Sequence, residues 1–155
     1  MEFADVFKKN YLVSGLSEAT IEEIAGFAEY GCKLAGEVLM DKGEKSSDLF
    51  VILDGTVFIY TDKGDKLAEC GPASVLGEVA LVDAGPRSAV AVCKGKVAYA
   101  RFPSKELRAY MTANKDAGFV MLANLSRVLT MRLRTTNAGL ESLRDKTSDP
   151  WENSI

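Results

Sequence analysis

The chain has 155 residues, 47% of them hydrophobic and 26% charged, with a net charge of −3. That composition fits one globular domain with a proper core, offers no overall basic field to nucleic acid, and contains no apolar run near the ~20 residues that span a bilayer. Histidine is absent altogether, which removes Ser-His-Asp and Cys-His catalysis and every histidine-ligated metal site.

Residues 2–9 read as one short helical piece, without the apolar core of a signal peptide. Ser17 reads as the N-cap of a helix over EATIEEIAGFAEY, where Ile21, Ile24, Ala25 and Ala28 recur at helical spacing. From Gly31 the pattern changes to short β-rich runs: CKLAGEVLM, LFVILDG, TVFIYT and KLAEC. Asp54-Gly55 and Gly64-Asp65 are hairpin signals between them. RSAVAVC and KVAYARF add two strands around Lys94-Gly95. Cys32, Cys70 and Cys93, odd in number and lying in these strand-like runs, read as reduced core residues of a cytosolic protein. No Cys-x-x-Cys pair or clustered carboxylate set offers a metal site, so no cofactor is expected. After Pro103 the helical period returns, first over PSKELRAYM and then over a longer helix from Lys115 to about Leu143. Its apolar residues are Leu122, Leu125, Leu129, Leu133, Leu140 and Leu143. The expected architecture is mainly β with flanking α. An antiparallel jelly roll over residues 30–102 follows N-terminal helices and precedes a long C-terminal helix. One domain over residues 1–145 and a disordered tail over 146–155 are expected.

The strip from Leu76 to Val92, LGEVALVDAGPRSAVAV, carries the chemistry. Gly77 followed by Glu78-Val79-Ala80-Leu81 suits one helical turn inside the β region, with unpartnered N–H groups at its start and a glycine that lets a ligand approach the backbone. Arg87, after the Gly85-Pro86 turn, can return toward the same place, and a planar guanidinium grips two phosphate oxygens. Glu78 has the wrong charge for a phosphate but accepts well from a sugar hydroxyl. Residue by residue, a bland reading stands beside this one: Arg87 as a surface partner of Asp83, and Glu78 as a solvated turn residue.

The strip as a whole resembles the phosphate-binding cassette of cyclic nucleotide-binding domains. That cassette runs Phe-Gly-Glu-(Leu/Ile/Val)-Ala-Leu, a short gap, then Pro-Arg-(Ala/Ser/Thr)-Ala. Here it is Leu76-Gly77-Glu78-Val79-Ala80-Leu81, then Pro86-Arg87-Ser88-Ala89. Upstream, Ala35-Gly36-Glu37-Val38-Leu39, Gly43, Asp48-Leu49-Phe50-Val51-Ile52 and Gly55 match a second family signature, and GLSEATIEEIA and RLRTTN are family-like. The departures are Leu76 where Phe is common, and Ala73-Ser74 where the family often has Gly and Asp.

The resemblance implies roles. Gly77, Val79 and Ala80 bring backbone N–H groups to the cyclic phosphate, Arg87 pairs with it, and Ser88, followed by Ala89, adds a hydroxyl near phosphate or base. Glu78 accepts from the ribose 2′-hydroxyl. Ile59 and Leu67 pack on the purine, or are plain barrel core. Thr136, with Asn137 as a lesser candidate, caps the base from the last helix, or lies on a solvated helix face. The ligand implied is cAMP, with cGMP also permitted.

The bacterial transcription factors of this family follow the long helix with a helix-turn-helix. Only about a dozen residues follow Leu143, so no DNA binding is expected of this chain. The expectation is a stand-alone, cytoplasmic, non-enzymatic regulatory domain without membrane attachment. It would signal through an effector protein or through its own homodimer, made by the leucine stripe of the last helix unless that stripe packs on its own barrel. The alternative is a jelly-roll interaction module that has lost its nucleotide. A jelly-roll oxygenase or isomerase ranks third.

Overall fold

The computed structural model describes residues 3–41, 43, 48–61, 63–82, 87 and 89–147, without the side chains of residues 4, 80, 136 and 138–147. A short helix α1 (Phe3–Phe7) and a 3-10 turn (Tyr11–Val13) lead to α2 (Glu18–Ala25). Ser17 caps α2 as expected, its hydroxyl accepting from the Thr20 N–H at 3.2 Å. Eight strands follow: β1 (Glu29–Lys33), β2 (Val38–Met40), β3 (Leu49–Asp54), β4 (Val57–Thr61), β5 (Lys66–Cys70), β6 (Val75–Leu76), β7 (Ala89–Cys93) and β8 (Val97–Phe102). They form two four-stranded sheets in the orders β1-β8-β3-β6 and β2-β7-β4-β5, with every pairing antiparallel. This is the expected jelly roll, closed by α3 (Ser104–Ala113) and α4 (Lys115–Thr147).

The first sheet is covered on both faces, and the alternation of β3 and β8 shows how. Leu49, Val51, Ala100 and Phe102 join Phe7, Leu12, Ile24, Leu107, Met121 and Leu125 in a core between sheet and helices. Phe50, Ile52 and Val97 turn the other way and meet Leu39, Val57, Ala91 and Cys93 inside the barrel. A strand buried on both faces reads as a continuous apolar run, which is what LFVIL shows.

Two expectations fail here for physical reasons. Gly64-Asp65 does close a hairpin between β4 and β5, with the Thr61 N–H donating to the Asp65 carbonyl at 2.8 Å. Asp54-Gly55 does not, because β3 and β4 lie in different sheets. Gly55 turns a corner instead: at φ +91°, an added Cβ would collide with the Lys96 carbonyl. Cys32 is not core either. It lies on the edge strand β1 and is exposed, whereas Cys93 is buried and Cys70 half-buried; none is in a disulfide.

Helix α4 runs to Thr147, past the expected end; residues 148–155 of the expected tail lie outside the described residues. Its apolar positions divide between two faces. Leu125 is 1% exposed in the domain's own core with Met121, so it does not belong to an outward stripe. Phe119, Leu122 and Leu133 are exposed, Leu133 at 61%. Together with Ser126 and Leu129 they follow a 3-4-3-4 spacing that continues through positions 136, 140 and 143. Among the described residues no helix is long and apolar enough to cross a membrane.

Candidate functional site

The site begins where β6 ends. Leu76 pairs with Phe50 of β3, which fixes the point at which the chain leaves the sheet. Gly77 then takes a left-handed conformation, φ +79° and ψ 12°, and starts a 3-10 turn over Glu78–Leu81. An added Cβ at Gly77 would collide with Nη1 of Arg87 and lie 2.8 Å from the Asp48 carbonyl oxygen. Glycine is therefore required twice, by the backbone angle and by the arginine lying flat against it.

Arg87 is half-buried. Its Nη2 donates to the Asp48 carbonyl at 2.7 Å, and its own carbonyl accepts from the Gly43 N–H at 2.8 Å. A neutral carbonyl orients the guanidinium without cancelling its charge. A planar guanidinium so placed has the geometry to grip an anion beside the turn.

Glu78 is 4% exposed, unusual for a carboxylate unless it is paired. Its partner is Arg132 of α4, whose Nη1 donates to Oε1 at 2.7 Å. Burial works against the Arg132 charge, but the hydrogen bond and charge of Glu78, together with Tyr11 and Cys70, outweigh it and raise its pKa. The half-buried Tyr11 hydroxyl lies in the same neighbourhood; burial first, and the Glu78 charge second, push its pKa well up. The Cys70 thiol is raised for the same two reasons, which keeps it protonated. One element from each part of the chain thus meets at Glu78: the N-terminal turn, strand β5 and the long helix.

The structure brings Gly77, Glu78 and Arg87 together. Val79 follows in the turn with its side chain exposed. Ala80 continues the turn, and its side chain is outside the described residues, as is all of Ser88 and also Asp83, the alternative partner of Arg87. Ala89 opens β7 opposite Thr61. Ile59 faces the barrel interior and packs on its core. The residue across from it is Ala68; Leu67 falls at the register shift of the β4–β5 pair and is 62% exposed. Thr136 lies on α4 one turn beyond Arg132, with its side chain outside the described residues, and Asn137 is exposed.

Sequence reasoning missed Arg132, Asp48 and Tyr11. Arg132 had a signal, because a residue four before a helix position that faces a site shares its face. Asp48 had none, since it meets Arg87 through its main chain.

The arrangement is dipolar. A guanidinium and the start of a turn offer an anion site at one end. A buried carboxylate offers an acceptor for a hydroxyl at the other. Among the described residues no group of three or more Cys, Asp or Glu lies together as a metal site would need.

Residues 34–114, more than half of the chain, match the family model described as the cyclic nucleotide-binding domain. The CRP-like cAMP-activated global transcriptional regulator of Mycobacterium tuberculosis is 30% identical over 112 residues, covering 70% of this chain and 48% of that protein. Glutaminase 2 of Bradyrhizobium diazoefficiens is 27% identical over 131 residues, covering 83% of this chain and 21% of that protein. The chain thus spans less than half the length of either relative. Among solved structures, the N-terminal domain of a transcriptional regulator from Streptomyces coelicolor A3(2) superposes with a TM-score of 0.73 at 25% identity, covering 86% of this chain and 96% of that one. With its cassette turn, its arginine and its jelly roll in place, the chain belongs to the cyclic nucleotide-binding domain family.

Proposed function

We propose that the chain is a regulatory domain that binds cAMP, with cGMP as the second candidate. The observation that carries this reading is the seating of Arg87 against Gly77 by the Asp48 carbonyl, beside the buried Glu78. Arg87 and the turn N–H groups of Gly77, Val79 and Ala80 take the cyclic phosphate, with Ser88 and Ala89 beside them. Glu78 takes the ribose 2′-hydroxyl, Ile59 and Leu67 form the wall of the base, and Thr136 closes over it from α4. The cAMP-activated relative supports the choice of ligand.

A panel of cAMP, cGMP, cCMP and cyclic dinucleotides in a thermal-shift assay tests it. A ligand at 100 times its Kd adds about 2.7 kcal/mol of stability, and cAMP is expected to give the largest shift. Glu78→Gln is expected to cost about 1–2 kcal/mol of cAMP affinity and to erase most of the preference over 2′-deoxy-cAMP. Unchanged discrimination between the two would remove Glu78 from the ribose.

A second reading, an interaction module without a nucleotide, is favoured by one observation: Arg132 engages Glu78 within the domain, so Glu78 has a structural use of its own. A panel with no shift for any cyclic nucleotide would establish it.

The output we propose is a homodimer through α4, with an effector protein reading its state. The 3-4-3-4 seam from Phe119 to Leu133 supports it, because exposed apolar residues at that spacing pack as a coiled coil. Leu133→Asp is expected to leave a folded monomer where the parent is a dimer, as read by light scattering. A parent that is monomeric at high micromolar concentration, with and without cAMP, rules the dimer out. The domain is proposed to act in the cytoplasm, without DNA, membrane or catalysis of its own.

A further inference from the structure

Glu78 has a neighbour besides Arg132. The Tyr11 hydroxyl oxygen is buried and, among the described residues, has no hydrogen-bond partner. Glu78 and Arg132 are the charges that act on it, which puts the hydroxyl beside the carboxylate. Its place is fixed from two sides. Tyr11 opens the 3-10 turn and packs against the core between sheet and helices. Buried Asn10, just ahead of it, accepts from the Leu12 N–H at 2.8 Å and donates to the Ala73 carbonyl at 2.6 Å. Buried Asn124 of α4 donates to the carbonyls of Leu12 and Ser14 at 3.0 and 2.9 Å. A turn clasped by a sheet loop and by the long helix delivers the hydroxyl to one position.

A buried hydroxyl without a hydrogen bond destabilises the state that holds it, and phenylalanine would fill the same space without that cost. The hydroxyl therefore has its use in another state of the domain, and Glu78 is the partner at hand. A carboxylate accepts several hydrogen bonds at once. Here one oxygen is held by Arg132, whose side chain is 55% exposed. The Cys70 thiol, also near, is a weak donor. Among the described residues around Glu78, that leaves Tyr11 as the buried strong donor. Burial and the Glu78 charge keep the hydroxyl protonated, so it remains a donor. We infer that Tyr11 is a positioning residue of the sugar end of the site: when a ribose reaches Glu78, the Tyr11 hydroxyl donates to the carboxylate and holds it on the 2′-hydroxyl. The inference rests on the cyclic-nucleotide reading of the site and names a residue of the N-terminal turn, outside the cassette.

Tyr11→Phe removes the hydroxyl and keeps the ring, and isothermal titration with cAMP and 2′-deoxy-cAMP reads the effect. The variant is expected to bind cAMP about tenfold more weakly than the parent, the size of one hydrogen bond to a charged group. Its affinity for 2′-deoxy-cAMP, which has no hydroxyl for Glu78 to receive, is expected to stay within about threefold of the parent's. The ligand-free melting temperature is expected to equal or exceed the parent's, because an unpaired buried hydroxyl has gone. The double variant Tyr11→Phe/Glu78→Gln is expected to bind cAMP within about threefold of Glu78→Gln, since the hydroxyl acts through the carboxylate. Parent-like cAMP affinity in Tyr11→Phe overturns the inference. Equal losses for the two nucleotides, or a ligand-free melting temperature several degrees below the parent's, show a purely structural role and overturn it as well. So does a double variant about tenfold weaker than Glu78→Gln. A parent that binds no cyclic nucleotide, or binds cAMP and 2′-deoxy-cAMP alike, overturns the reading of the site itself. That result differs from a discriminating parent that Tyr11→Phe matches.

Discussion

Replacing Arg87 with leucine is expected to weaken cAMP binding by about 30-fold or more. Among the described residues, the guanidinium is the side-chain cation seated against the cassette glycine, and its Nη2 is anchored at 2.7 Å on the Asp48 carbonyl. Losing one partner of a partly desolvated charge pair costs roughly 2–5 kcal/mol, and each 1.4 kcal/mol is tenfold in Kd. The fold should survive, because Arg87 is only half-buried and its bond to the Asp48 carbonyl is worth about 1.5–3 kcal/mol. Titration calorimetry against a parent of matched melting temperature separates the two effects. Parent-like affinity in Arg87→Leu would mean that the phosphate is held elsewhere and would take the cassette assignment with it.

Gly77→Ala is expected to damage both stability and binding, by another route. The left-handed backbone costs an alanine about 1–2 kcal/mol. The added methyl also meets the Asp48 carbonyl oxygen at 2.8 Å and collides with Arg87, which adds about 1–3 kcal/mol of overpacking. For a chain of this size each kcal/mol moves the melting temperature by about 2–4 °C, so a fall of roughly 4–20 °C is expected. Of the two obstructing groups the arginine is the mobile one. It gives way, and cAMP affinity falls with it by tenfold or so, since misplacing a positioned group is costly. Gly64→Ala is the control: its φ is +90°, yet an added Cβ there meets nothing within 4 Å, so it carries the backbone cost alone. Equal melting-temperature losses in the two variants, with cAMP binding intact in both, would show that Arg87 does not lie against Gly77.

Much of this was legible in the sequence, and what was not failed for identifiable reasons. The N-cap at Ser17, the six strand-like runs and the two closing helices follow from local chemistry, since caps, apolar periods and turn glycines act within a few residues. Sheet membership does not. Asp54-Gly55 has the composition of a hairpin but turns between two sheets, and only the packing of Gly55 on Lys96 and Val97 distinguishes the cases. Ala73 shows the same limit. It takes a left-handed φ of +72° at a turn where glycine is common in the family, held by hydrogen bonds between its N–H and the Ile52 carbonyl and between its carbonyl and Asn10. At the site, Glu78 and Arg87 declared themselves by type and spacing. Arg132 is 54 residues from Glu78, and Arg101 is 53 from Asp48; helix spacing points to the face Arg132 shares, but which residue it meets across such a distance is set by topology.

Arg132 and Leu133 are consecutive residues of α4, the first bonded to the cassette glutamate and the second exposed on the apolar seam. Neighbours on one rigid helix cannot be moved independently. If a second copy of the chain covers the seam, whatever factor cyclic-nucleotide binding applies to self-association, self-association must apply to nucleotide affinity, because the coupling is a single free energy. The abundance of the protein then becomes a setting of its sensitivity. A cell that doubles its supply of this chain would shift the nucleotide concentration at which the domain responds, without altering one atom of the pocket.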